Sequence, residues 1–239
     1  MSANRSDPET GPGVMSGPGV MSGPGVMSGP SAESGAEVVG RAGAMGGGVE
    51  SPGQRQLGPL IAAFDERSDQ LLERLRGHPV ADGVFSVASH VGDFSLVWHA
   101  VNVTRGLARG RPDQVLALAV SLGVESLVVN QGVKRLFRRE RPTPAGDDRL
   151  PVRRPSTSSF PSGHASSATY AATLLAAWDR GRPPLPRALP AVWWSIATVV
   201  GVSRAYVRIH HASDVVGGVV VGRALGVIAR RALRSVAHG

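Results

Sequence analysis

Cysteine is absent from the 239 residues, which excludes a disulfide framework and any thiolate metal site and leaves the redox compartment open. Aromatic residues make up only 5% of the chain, too few for a base-stacking platform, and the arginines cluster between apolar runs instead of forming a basic face. Nucleic acid is therefore not an expected partner. No HExxH motif and no paired-carboxylate spacing occurs, so neither a metal nor another cofactor is expected. A basic stretch followed by an apolar core is missing near the start, and no signal peptide is expected.

What is present is 42% hydrophobic content, a net charge of +8 and far more arginine than lysine. A basic balance suits nucleic acid, an anionic membrane surface or an anionic substrate; with nucleic acid set aside, membrane and phosphate remain. Residues 1–56 read as a disordered tail. Gly11-Pro12-Gly13-Val14-Met15-Ser16 recurs from Gly17 and again from Gly23, and a Gly, Pro and Ser repeat of this kind cannot build a core. Residues 57–239 read as one membrane-embedded domain. In 57–76, Leu60, Ile61, Phe64, Leu71, Leu72 and Leu75 are spaced for one helical face and Asp65, Glu66, Asp69 and Glu73 for the other, an amphipathic helix too charged to span a bilayer. Five candidate spans follow, at 80–104, 115–133, 163–178, 188–203 and 215–229. The first is the weakest, because it carries Asp82, His90, Asp93 and His99. Gly218, Gly222 and Gly226 in the last form a ladder of small residues suited to close helix packing, more readily within the fold than between copies. The oligomeric state is left open.

Three short segments carry the chemistry. Ser159-Phe160-Pro161-Ser162-Gly163-His164 runs into a small, apolar helix-forming stretch. Ser162 suits an N-cap, and free N–H groups at a helix start attract anions. Alone, the segment reads equally as an ordinary capped helix with an incidental histidine. Upstream, Lys134 is followed seven residues later by Arg141-Pro142; downstream lie Ser203-Arg204, His210 and Asp214. If every apolar run crosses once, residues 134–162 and 204–214 fall on one membrane face and residues 105–114, 179–187 and 230–239 on the other, so the three segments can share one site. Lys134, Arg141 and Arg204, with the Ser162 hydroxyl and the Gly163 N–H, can surround the oxygens of a phosphate without a metal. His210 and Asp214 at i, i+4 on a helix start would share a face.

The order K-x6-R-P, P-S-G-H, S-R-x5-H-x3-D resembles the full signature of the type 2 phosphatidic acid phosphatase superfamily, which also contains the vanadium haloperoxidases. The resemblance spans roughly residues 107–231. It implies an all-α, polytopic membrane helical bundle with its active site at one membrane face, and a metal-independent lipid phosphatase in the plasma membrane whose partners are a lipid phosphate and membrane lipids. It further implies His210 as the nucleophile of a phosphohistidine mechanism, Asp214 as its orienter, and His164 as the acid for the leaving alkoxide and then the base for water. Within the superfamily, the run Arg153 to Pro161 looks similar to the actinobacterial group that dephosphorylates decaprenylphosphoryl-5-phosphoribose. Undecaprenyl diphosphate, phosphatidic acid and phosphatidylglycerol phosphate are alternative substrates, and an inactive lipid-binding scaffold is the alternative of another class.

The remaining charged residues receive simpler readings. Arg149, Arg153 and Arg154, in the loop before Pro161, are candidates to grip a head group. Arg135, Arg138 and Arg139 suit lipid phosphates at the surface. His211 points away from His210 and is not expected in catalysis, and His90, His99 and Asp93 suit buried pairing. Glu125 and Arg223 both lie nine residues from the catalytic segments, roughly 13 Å below that face at the α-helical rise, and are expected to form a salt bridge.

Overall fold

The computed structural model describes residues 54–142, 156–180 and 188–236, all of them helix, turn or irregular chain. The repeat tail and Arg149, Arg153 and Arg154 lie outside the described residues. Gln54–Leu57 is a 3-10 turn, and the Gln56 side-chain oxygen accepts the Glu140 N–H at 3.1 Å.

Seven α-helices follow: α1 (Pro59–Glu73), α2 (Pro79–Val91), α3 (Leu96–Ala108), α4 (Pro112–Leu127), α5 (Gly163–Asp179), α6 (Leu189–Tyr206) and α7 (Ala212–Val236). Proline stands in the first turn of α1, α2, α4 and α6, where its missing N–H costs no hydrogen bond and its ring presets φ. The stretch 80–104, expected as one crossing, is instead α2 and α3 joined by a 3-10 turn at Asp93–Ser95, with Ser95 in the left-handed region at φ 58°. Gly92 at this break lies so close to α6 and α5 that a Cβ would stand 3.0 Å from Val200 and 3.2 Å from His164. α4 continues through a π turn at Val128–Gly132 and a 3-10 turn at Val133–Leu136; such irregular turns recur where a helix is bent to serve a site. α7 runs well past the expected end at 229, because Arg230, Arg231 and Arg234 extend the helix beyond its apolar run.

α5 is the axis of the bundle. Every residue from Ala165 to Ala176 is buried, and the predominance of Ala, Ser and Thr lets α4, α6 and α7 close on it from different sides. The glycine ladder of α7 makes the closest approach. A Cβ on Gly222 would stand 2.1 Å from the Ser166 carbonyl oxygen and one on Gly218 2.4 Å from that of Ser162. The ladder is thus occupied within the fold.

Outside, the polarity is inverted. Leu116, Val120, Val124 and Leu127 of α4 and Val216, Val220 and Ile228 of α7 are exposed, while Ser, Thr, Asp and Arg are buried inside. Such a surface suits lipid, where backbone and side-chain polar groups must be satisfied internally. Pro112–Leu136 and Ala212–Arg234 are each long and apolar enough to cross a membrane.

The Glu125 and Arg223 expectation is not met. Glu125 accepts the Ser166 hydroxyl on α5, whereas Arg223 donates to the Thr173 hydroxyl at 3.4 Å and lies over the Trp194 ring at 5.5 Å. Helical rise gave both groups a similar depth, but their azimuths turn them toward different neighbours.

Candidate active site

The C-terminal end of α4, the N-terminus of α5, the C-terminus of α6 and the chain entering α7 meet at one end of the bundle around a cavity of about 770 Å³. Lys134, Arg141, Gly163, His164, Arg204 and His210 line it together with Asp93, His99, Glu125, Asn130, Ser156 and Thr157. Six residues expected at the site thus share one wall.

Ser162 and Asp214 stand behind that wall, both fully buried. Ser162 is the N-cap of α5, its hydroxyl accepting the Ala165 N–H at 3.4 Å and its own N–H donating to the Asp214 carbonyl at 2.9 Å. Accepting the cap hydrogen bond uses an oxygen lone pair and leaves the hydroxyl its own O–H to donate. Gly163, the first residue of α5, remains on the cavity, with the Asn130 side-chain oxygen 3.3 Å and the Lys134 ammonium 3.8 Å from where a Cβ would sit.

His210 and Asp214 do not share a helical face, because α7 begins only at Ala212. Asp214 is the third helical residue and accepts the His211 N–H at 2.8 Å, half of a capping box. This turns its carboxylate back toward His210, whose Nδ1 lies 3.6 Å from Asp214 Oδ2. Ser159, not singled out from the sequence, stands between them: its hydroxyl donates to Asp214 Oδ2 at 2.5 Å and lies 3.5 Å from His210 Nδ1. On the other side of the ring, Arg141 Nη1 lies 3.1 Å from Nε2. A guanidinium can only donate, so Nε2 carries the lone pair and Nδ1 the proton. Burial pushes the His210 imidazole down to about 3, against the hydrogen bond to Asp214 that favours its charged form. At neutral pH the ring is an uncharged base facing the cavity.

The chain before His210 is shaped by a residue of unusual backbone. Arg208 is left-handed at φ 53°, which lets the Ile209 and His210 N–H groups both reach the Arg204 carbonyl, at 3.1 and 3.0 Å. Its guanidinium is anchored on α1 by Glu73 at 2.7 Å and Asp69 at 3.3 Å.

Arg204 is held from α2, donating to the Ser89 carbonyl at 3.0 Å and hydroxyl at 2.5 Å, and its Nε is buried without a partner. His164 Nε2 bonds Asp93 Oδ1 at 2.8 Å, and Arg204 lies 3.6 Å from the same oxygen. Asp93 is therefore no buried structural pair: its side chain is 42% exposed at the cavity, delivered there by the break between α2 and α3. His99 also lines the cavity, whereas His90 is exposed and bonded to the Ser86 carbonyl at 2.8 Å. His211 is buried off the cavity wall, and burial, together with nearby Arg139, lowers its pKa. Among the described residues no group of three His, Asp or Glu side chains is placed to hold a metal ion.

Arg139 overturns its surface reading. It is 3% exposed and bridges Asp65 of α1 and Asp214 of α7, each at 2.6 Å. Only Arg135, bonded to Gln131 at 2.6 Å, and exposed Arg138 keep positions at the surface.

The chain has counterparts among known proteins. A profile of the PAP2 superfamily matches residues 114–236. The chain belongs to that superfamily. This PAP2 protein is 35% identical over 144 residues to decaprenylphosphoryl-5-phosphoribose phosphatase of Mycobacterium tuberculosis, covering 59% of the chain and 73% of that protein. It is likewise 35% identical over 133 residues to the protein of that name from Mycolicibacterium smegmatis, covering 54% and 67%. In fold it is similar to the crystal structure of a transmembrane PAP2 type phosphatidylglycerolphosphate phosphatase from Bacillus subtilis, with TM-score 0.58 and 24% identity over 74% of this chain and 87% of that one. Aquifex aeolicus LpxE gives TM-score 0.55 and 24% identity over 70% and 95%. The protein is an all-helical membrane enzyme, a phosphomonoester hydrolase of this superfamily.

Proposed function

We propose that this PAP2 phosphatase acts in the plasma membrane on a phosphomonoester carried by a polyprenyl chain, with decaprenylphosphoryl-5-phosphoribose as its substrate, through a phosphohistidine intermediate. The observation that carries the mechanism is the pair of contacts on His210: Arg141 on Nε2 at 3.1 Å, and Ser159 and Asp214 on the Nδ1 side at 3.5 and 3.6 Å. The substrate reading rests on the 35% identity to the mycobacterial enzymes.

An arriving phosphate takes the donors of Lys134, Arg141 and Arg204 and the N–H of Gly163, and in doing so draws Arg141 off His210 Nε2. The freed lone pair attacks phosphorus as the ester P–O bond breaks, and His164 gives its proton to the leaving alkoxide. Asp214 receives the Nδ1–H as positive charge develops on the ring, directly or through the Ser159 hydroxyl; separations above 3.2 Å in an unliganded site tighten in such complexes. His164 then takes a proton from water, which attacks phosphorus, breaks the P–N bond and releases phosphate. Arg149, Arg153 and Arg154 are proposed contacts for the ribose and its linkage.

Phosphate release by the purified protein in detergent with EDTA tests this reading, on decaprenylphosphoryl-5-phosphoribose beside undecaprenyl diphosphate, phosphatidic acid and phosphatidylglycerol phosphate. Turnover that survives EDTA, is fastest on the ribose lipid and vanishes in His210→Ala is the expected result. Full activity in His210→Ala overturns the mechanism, and a faster glycerolipid overturns the substrate.

A further inference from the structure

α1 lies outside the stretch that the PAP2 profile matches, yet one of its residues reaches the catalytic carboxylate at one remove. Asp65 is 2% exposed. Its Oδ1 accepts the Ser213 N–H at 2.7 Å, and its Oδ2 accepts the Ser213 hydroxyl at 2.8 Å and Arg139 Nη2 at 2.6 Å. Arg139 Nη1 turns the other way, donating to Asp214 Oδ1 and to the Ser213 hydroxyl, each at 2.6 Å. Asp214 in turn faces His210.

We propose that Asp65 is a positioning residue for hydrolysis, acting through Arg139 on Asp214. Docking of α1 does not need a buried carboxylate, because an amide oxygen in the Oδ1 position can accept the Ser213 N–H and an amide NH2 in the Oδ2 position can donate to the Ser213 hydroxyl, and a buried charge is costly to desolvate. What the charge adds is a second claim on Arg139. With Arg139 bound to Asp214 alone, the pair is neutral, and Asp214 is a weak partner for the cation that forms on His210. With Asp65 on the opposite edge of the guanidinium, two carboxylates share one positive charge. Asp214 is then held in place by Arg139 and keeps net negative character toward the ring. α1 thereby belongs to the active site, and its hold on Arg208 through Asp69 and Glu73 supports the same turn.

The inference rests on the reading that Asp214 serves His210. Asp65→Asn separates the two roles of the residue: an amide oxygen still accepts from Ser213, while the charge on Arg139 is lost. In the full chain in detergent, kcat and KM are measured on whichever lipid of the panel above the unaltered protein turns over fastest. Activity is scored per folded molecule by circular dichroism, with His210→Gln alongside. Asp65→Asn is expected to lower kcat about tenfold or more with KM within about twofold, as for an interaction made only in the transition state. In an Arg139→Gln background, adding Asp65→Asn is expected to cost nothing further, because the route is already cut. A normal kcat in Asp65→Asn, a loss that tracks unfolded protein, or a further loss in the double variant overturns the inference alone when His210→Gln is dead. An active His210→Gln, or no turnover by the unaltered protein, overturns the reading beneath it as well.

Discussion

The two ends of α5 are both rich in buried cations, and they handle them in opposite ways. At the far end, Arg105 and Arg109 converge on Asp179 at 2.6 and 3.2 Å, Trp193 donates to the same carboxylate at 2.9 Å, and Gln114 accepts from Arg105 at 2.7 Å. The acceptor is built in, and the cluster is closed. At the near end, Lys134, Arg141 and Arg204 line a cavity of about 770 Å³. Lys134 is 7% exposed and has no carboxylate within ion-pair distance among the described residues. One end is a clasp that stabilises the bundle; the other holds Lys134 at a cavity without a carboxylate beside it.

Removing one charge from each end gives opposite results. Lys134→Met is expected to lower kcat/KM about 1,000-fold, as loss of a donor aimed at developing charge does, while leaving the thermal unfolding midpoint unchanged or higher, because a buried cation without a carboxylate partner is gone. Steady-state phosphate release and differential scanning fluorimetry read the two effects. Asp179→Asn is expected to lower stability by about 3 kcal/mol, since it strands two arginines, with turnover per folded molecule preserved. Loss of turnover in folded Asp179→Asn would show that the two ends are coupled.

Proton binding sharpens the contrast. The far cluster contains no histidine, whereas the near end contains His210, pushed down to about 3 by burial. Below the ordinary histidine pKa of about 6.5, the unfolded chain binds a proton that the folded chain refuses. Stability is therefore full above that pH and falls as the pH drops toward 3. Acidification from pH 7 to pH 5 is expected to cost about 2 kcal/mol, with His211 shifted the same way, and His210→Gln is expected to flatten the dependence in unfolding curves taken across that range. The smallest effect belongs to the solvent-facing pair Arg111 and Asp113, 2.6 Å apart with side chains 38% and 61% exposed. Asp113→Asn is expected to leave both activity and the unfolding midpoint unchanged within error, as exposed ion pairs contribute little.

The parts of the site legible in the sequence are those whose chemistry demands a residue type at a fixed local spacing. Lys134, Arg141, Gly163, His164, Arg204 and His210 fall in three short segments, and the alternation of apolar runs already places those segments at one end. What escaped is contact between distant segments. Asp93 meets His164 across 71 positions, Arg139 meets Asp65 across 74 and Asp214 across 75, and no local pattern marks any of the three. Asp93 was further hidden by reading 80–104 as one helix; the break at Gly92–Ser95 is what carries it to the cavity. Ser162 differs, since a serine at a helix start suits both a cap and a ligand; the structure shows the cap, and the hydroxyl proton is left to donate.

Composition, hydrophobic period and motif spacing by themselves pointed to helical runs, a membrane setting and an anionic partner, and placed six residues of the cavity wall, because each depends on residue type and on distance along the chain; the bundle and the phosphatase chemistry followed from the motifs' family resemblance. Tertiary structure alone decided who meets whom across the bundle: that Glu125 turns to Ser166 and Arg223 to Thr173 and Trp194, that Arg139 is a buried bridge, and that α1 reaches Asp214 through it. The rise of a helix sets the depth of a side chain, which a sequence can count. Its azimuth against neighbouring helices depends on how all of them pack, and there the choice of partner is made.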